Sequence, residues 1–132
     1  MGPPAATKDD QVVGIDVHVV MVPAGPSLVP TPLPHPFAGK IDRATESTVL
    51  IAGKAAAVQG SKATNQPSHV PTPPGVSFQS PPANEAEIVV GSTTVLAGGK
   101  PVARTGDTAK TCNDPAPLPV GTVVATRTVF VG

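Results

Sequence analysis

TVLIAGKAAAVQGSKA, residues 48–63, and TVLAGGKPVARTGDTA, residues 94–109, are two copies of one unit. Aligned on Thr48 and Thr94, they agree at eight of sixteen positions: Thr, Val, Leu, Gly, Lys, Ala, Gly and Ala. Each copy is a short alternating apolar run, a glycine turn (Ala52-Gly53 or Gly98-Gly99) and a second short run. That is the pattern of a β-hairpin whose turn requires positive φ. Thr128-Val129-Phe130-Val131-Gly132 opens a third copy and stops at its turn. The helical temptation of Ala55-Ala56-Ala57 is answered by its repeat partner Pro101-Val102-Ala103, where proline opposes a helix. The expected fold is all-β, a hairpin repeat in three related units.

Outward from the repeats, Val12 to Val22 reads as a strand with Ile15, Val17, Val19 and Met21 on one face and Asp16, His18 and Val20 on the other. Pro23, Pro26, Pro30, Pro32, Pro34 and Pro36 follow, a density that predicts extended polyproline-like chain and excludes helix and central strand. Further proline clusters, Pro67 to Pro82 and Pro115 to Pro119, alternate with the hairpins. Residues 1–11 are expected to form a flexible N-terminal segment, and 12–132 a single domain.

The composition bounds what such a domain does. Of 132 residues, nine are Lys or Arg and nine Asp or Glu, with 18 Pro, 13 Gly, three Phe and no Trp or Tyr. A neutral chain almost without aromatic rings lacks both the charge to grip a phosphate backbone and the surfaces on which bases stack. Nucleic acid is therefore not an expected partner. No apolar run approaches the roughly 18 to 20 residues of a membrane span, and Lys8, Asp9, Asp10 and Asp16 stand where a signal peptide would be apolar. Synthesis in the cytoplasm without a signal peptide is the expectation. Twenty valines argue for order, since disordered chains are poor in β-branched apolar residues. A core of Val, Ala, Leu and Ile at this size is only marginally stabilised by burial, so a staple is expected.

The candidate staple is a metal. The chain has three histidines, His18, His35 and His69, and one cysteine, Cys112, all outside the two full repeat copies. Three imidazoles and a thiolate fill the shell of a closed tetrahedral zinc site, and one cysteine cannot form an internal disulfide. The spacing is not that of a zinc finger, so the site would join segments distant in sequence. Singly, each residue also reads as an ordinary hydrogen-bonded histidine or a buried thiol. Four protein ligands leave no open position for catalysis, and no GxSxG, HExxH or phosphate-cradling loop is present. Asp107 is expected to pair with Arg104 across the Thr105-Gly106 turn.

Gly91-Ser92, Thr94-Val95-Leu96, Gly99-Lys100 and Pro101-Val102-Ala103-Arg104-Thr105-Gly106-Asp107 resemble the PAAR repeat, with the first hairpin a degenerate copy. Val102 replaces the first alanine of the motif, Val58 stands where arginine would, and the His-Gly-Gly opening common in secretion-system members is missing. The resemblance implies a small β-cone that sits on a trimeric VgrG-like spike in type VI secretion systems or related phage-tail-like particles. It further implies a zinc ion near the apex held by His18, His35, His69 and Cys112. The PTPLPHPF loop and the lack of an appended toxin domain look more like stand-alone tips of extracellular particles. The expected function is a structural spike tip, one per trimer, in transient contact with a target membrane, without enzymatic activity and without a small-molecule substrate. The particle would carry it out of the cell. Two alternatives come from other classes: a zinc-dependent hydrolase acting on envelope substrates, and a Pro-rich adaptor that binds through its PxP-like segments.

Overall fold

A computed structural model describes residues 2–132, and among these the chain is all-β, without a helix. The first five strands are β1 (Gln11–Ala24), β2 (Ser27–Arg43), β3 (Glu46–Ile51), β4 (Lys54–Ala56) and β5 (Lys62–Asn65). Six more follow: β6 (Ser77–Phe78), β7 (Glu85–Ile88), β8 (Leu96–Ala97), β9 (Lys100–Pro101), β10 (Thr108–Thr111) and β11 (Leu118–Val124).

Six of these strands close on themselves. β1 pairs with β2, β2 with β5, β5 with β7, β7 with β10, β10 with β11, and β11 returns to β1, all antiparallel. The ring is thus three long-range hairpins, β1–β2, β5–β7 and β10–β11, set side by side. Closure removes most of the free edges that short strands would otherwise expose. Small side chains make this possible: Val12 beside Val123, Ala63 beside Ile41 and Ala109 beside Ile88 are cross-strand pairs in the interior, all buried. Phe37 is the one fully buried aromatic ring of Phe type.

At one end the repeats form the predicted short hairpins, β3–β4 and β8–β9. Their turns carry the positive φ that the glycine signal required, at Ala52-Gly53 (52° and 81°) and Gly98-Gly99 (58° and 79°). The third unit is completed by residues expected to be flexible. Pro4 bridges Phe130, Val131 N donates to Pro3 O at 2.9 Å, and Ala5 N donates to Val129 O at 2.8 Å. Met1 lies outside the described residues. Ala5, Ala6 and Thr7 are fully buried, because Pro4-Ala5-Ala6-Thr7 supplies the returning strand that pairs with Thr128–Gly132.

The three units meet around a threefold axis that the backbone itself displays. Ala6 N donates to Ala103 O (2.9 Å), Ala103 N to Ala57 O (2.9 Å), and Ala57 N to Ala6 O (3.0 Å). A second cycle repeats the pattern: Lys8 N to Ala55 O, Gln59 N to Pro101 O, and Thr105 N to Pro4 O, at 2.8 to 2.9 Å. Each unit then turns alike. The amides of Thr7, Val58 and Arg104 donate to the side chains of Asp10, Ser61 and Asp107 at 2.8 to 2.9 Å. The residue before each acceptor, Asp9, Gly60 or Gly106, has φ of 76°, 98° or 92°. Arg104 also pairs with Asp107 through its guanidinium at 2.8 Å, as its spacing predicted.

One expectation changes. The proline-rich stretch is a strand, β2, aligned with β1 from Ala24↔Ser27 to Gln11↔Lys40. Pro30, Pro32, Pro34 and Pro36 fall at alternate positions, so the amides they lack all belong to the side of β2 that faces away from β1. Over this length β2 is an edge strand, and proline is compatible with an edge.

Candidate metal centre

Opposite the short hairpins, the ends of all three long hairpins converge. Alternation along β1 turns Asp16 and His18 inward together with Val20, while Ile15 and Val17 face out. His35 lies across from Asp16 on β2. His69 comes from the loop between β5 and β7, and Cys112 follows β10. All of these side chains are buried.

Three of the four predicted ligands come together, joined by a residue not predicted. One ligand atom each from Asp16, His18, His69 and Cys112 lies within 4.8 Å of the others. His69 Nε2 is 2.8 Å from Asp16 Oδ2, Cys112 Sγ is 3.3 Å from the same oxygen and 3.6 Å from His18 Nε2, and His18 Nε2 is 3.9 Å from Asp16 Oδ2. His35 stands beside them, its ring centroid 5.4 Å from that of His18 and 5.5 Å from that of His69. Its nitrogens are engaged elsewhere: Nδ1 donates to Leu33 O at 2.9 Å, and Nε2 accepts from Thr72 N at 3.1 Å. Burial, opposed by the Leu33 carbonyl, holds the His35 pKa below its ordinary value, so the ring is neutral.

Asp16 organises the cluster. Its Oδ1 accepts from the Thr111 hydroxyl and, at 3.5 Å, from Asn113 Nδ2, leaving Oδ2 to face the donors. The His69 tautomer follows from its neighbours. Asn65 Oδ1 accepts from Ala38 N, so its Nδ2 donates to His69 Nδ1 at 3.2 Å, and the ring proton sits on Nε2, which donates to Asp16. The Cys112 thiol donates to Asp16 as well, and burial, then the nearby carboxylate, pushes its pKa up to about 11. In this state protons join the groups that a cation would otherwise join.

The donor set suits such a cation. Two imidazoles, a thiol and a carboxylate are ligands of borderline-soft Zn²⁺, and a tetrahedron with bonds of roughly 2.0 to 2.3 Å has edges of about 3.3 to 3.8 Å. Four of the six separations run from 2.8 to 3.9 Å, around that range, and all six are within 4.8 Å. His18 Nδ1 is buried without a hydrogen-bond partner, 3.5 Å from Asp114 Oδ2. A carboxylate behind the far nitrogen is how a metal-bound histidine is oriented. Around the site, polar side chains replace ladder bonds: Asn113 Oδ1 accepts from Val17 N at 2.7 Å and Asp114 Oδ2 from Val19 N at 2.8 Å.

Sequence reasoning missed Asp16, Thr111 and Asn113. The placement of Asp16 two residues before His18 on the inward face was the available signal.

No curated protein and no solved structure matches the chain. The family model described as PAAR motif matches residues 1–115, which include two of the three units about the threefold axis, the N-terminal strand of the third, and every donor of the cluster. The chain belongs to the PAAR-motif family.

Proposed function

We propose that the protein caps the blunt end of a trimeric VgrG-like spike, one copy per trimer, as the hardened tip of a contractile injection particle, with no chemistry of its own. The observation that carries this reading is the closed cycle of amide bonds among Ala6, Ala57 and Ala103. A single chain can satisfy three identical surfaces only if it repeats itself about an axis, and here it does so. At equivalent places of the two short hairpins and of the pairing between Pro4 and Phe130 stand Leu50, Leu96 and Phe130, exposed by 64, 60 and 45 %. Their strands are open to extension by the terminal strands of a trimer.

At the opposite end zinc would be held by His18, His35, His69 and Cys112. Three imidazoles around one tetrahedral ion place their ring centroids about 5 Å apart, and the centroids of His18, His35 and His69 are separated by 5.0 to 5.5 Å. His35 Nε2 would release the Thr72 amide, and Asp16 would stay behind the shell as an acceptor. Zinc supplies no redox chemistry there, only bonds between three hairpins, worth ~10 kcal/mol if it resembles zinc-finger sites. The protein is made in the cytoplasm and leaves the cell with the particle.

Mixing with a trimeric spike tests the reading. One chain per trimer is expected, and Leu50→Asp, Leu96→Asp or Phe130→Asp should each weaken docking about tenfold or more without lowering Tm. Three chains per trimer, or none, would overturn it.

A further inference from the structure

Between Asp16 and Lys40 the chain carries no Asp, Glu, Lys or Arg, and the two histidines of that stretch are buried in the metal centre. Within this uncharged segment the β1–β2 hairpin runs on beyond its pairings with β5 and β11. From His18 it continues six residues to Ala24, about 20 Å at the rise of a strand, then turns at Gly25-Pro26. β6 reaches it at Val20 and Met21. Every residue from Pro23 to Pro30 is exposed, so neither face is covered, and Leu28 and Val29 are 50 and 45 % accessible.

The backbone of this hairpin is equally unsuited to a watery or protein partner. Along β2, Pro30, Pro32, Pro34 and Pro36 remove outward amides and leave that of Leu28, and Pro23 removes one on β1. Closer to the metal centre the outward amides of Val17 and Val19 are taken by Asn113 and Asp114. A protein that docked by adding a strand would need the amide row that is missing, and a charged partner would find nothing to pair with. Hydrocarbon needs neither, and of the unpaired donors and acceptors that it penalises, proline has deleted the donor at five positions, leaving only the outward carbonyls there.

The geometry points to the Val19–Pro32 hairpin as a lipid-inserting wedge, which enters the hydrocarbon layer of a bilayer ahead of the metal centre. Only its direction of travel rests on the spike-tip reading; its affinity for lipid stands on the hairpin itself.

The absence of tryptophan and tyrosine makes the test clean. Leu28→Trp places a single fluorophore on the wedge, and Leu50→Trp places one on the opposite end. With vesicles of phosphatidylethanolamine and phosphatidylglycerol, and with vesicles of phosphatidylcholine alone, Leu28→Trp should shift to the blue and be quenched by brominated acyl chains, independently of salt. Leu28→Asp combined with Val29→Asp should lower the vesicle partition coefficient about tenfold or more while Tm and spike docking stay unchanged. No shift at Leu28→Trp, equal quenching at Leu50→Trp, or a shift abolished by high salt would each overturn the inference. Loss of spike docking with the lipid signal intact would overturn the spike reading alone.

Discussion

His69 Nε2 donates to Asp16 Oδ2 at 2.8 Å, tying a loop of the second long hairpin to the inward face of the first. Cys112, from the third, donates to the same oxygen. One carboxylate therefore collects all three hairpins when protons fill the cluster, and one cation would collect them more strongly.

Elemental analysis of the purified protein should find one zinc per chain. Chelation should lower Tm by roughly 10 °C or more, and Cys112→Ala should show the same loss with no further response to chelator. A wild-type Tm indifferent to chelator would remove the metal from the account.

Asp16 and His35 compete for the fourth position, and their variants separate them. With three histidines and the thiolate as ligands, His35→Ala should lose the metal, whereas Asp16→Asn should keep it with affinity reduced about 10- to 100-fold, the effect of an outer carboxylate. Cobalt substitution followed by visible absorption reads both. The opposite ranking would place Asp16 on the ion.

The pH dependence of the metal-free protein follows from Cys112. Its thiol keeps its proton to about pH 11 in the fold, whereas the unfolded chain releases it near 9. Above pH 9 the unfolded state thus binds fewer protons, and stability falls as pH rises. The contribution is whole below pH 9 and is lost by pH 11, in total roughly 3 kcal/mol. Urea titrations of metal-free wild type against Cys112→Ala should diverge in that window alone.

The three equivalent turns should differ in cost. Asp107 accepts from the Arg104 amide and from two guanidinium nitrogens, so Asp107→Ala should destabilise by about 2 to 3 kcal/mol. Ser61 accepts from Val58 N and donates to Ala44 O, and its loss should cost about 1 to 2 kcal/mol. Chemical denaturation of both variants checks the order.

Much of this architecture was legible in the sequence. The matched runs at Thr48 and Thr94 gave the short hairpins, and alternation along β1 put His18 and Asp16 on the same face. The third unit was legible only in part. Its strands, Thr128–Gly132 and Pro3–Ala6, lie at opposite ends of the chain, and no local pattern links them. The proline-rich stretch was misread because proline density argues against a strand unless the prolines keep one parity, as Pro30, Pro32, Pro34 and Pro36 do. Asp16 was read as a strand residue on the same face as His18. Its partners Thr111, the last residue of β10, and Asn113, just beyond it, are neutral residues far along the chain, and neither their type nor their spacing announces contact with an acid.

The bond between Val131 N and Pro3 O holds these two positions side by side. A short linker could join them and new ends could be opened at Gly25-Pro26 without breaking the threefold ring, so this fold is a natural candidate for circular permutation. By the same token, any polypeptide fused before Pro3 or after Val131 would emerge from one place, at the short-hairpin end of the ring.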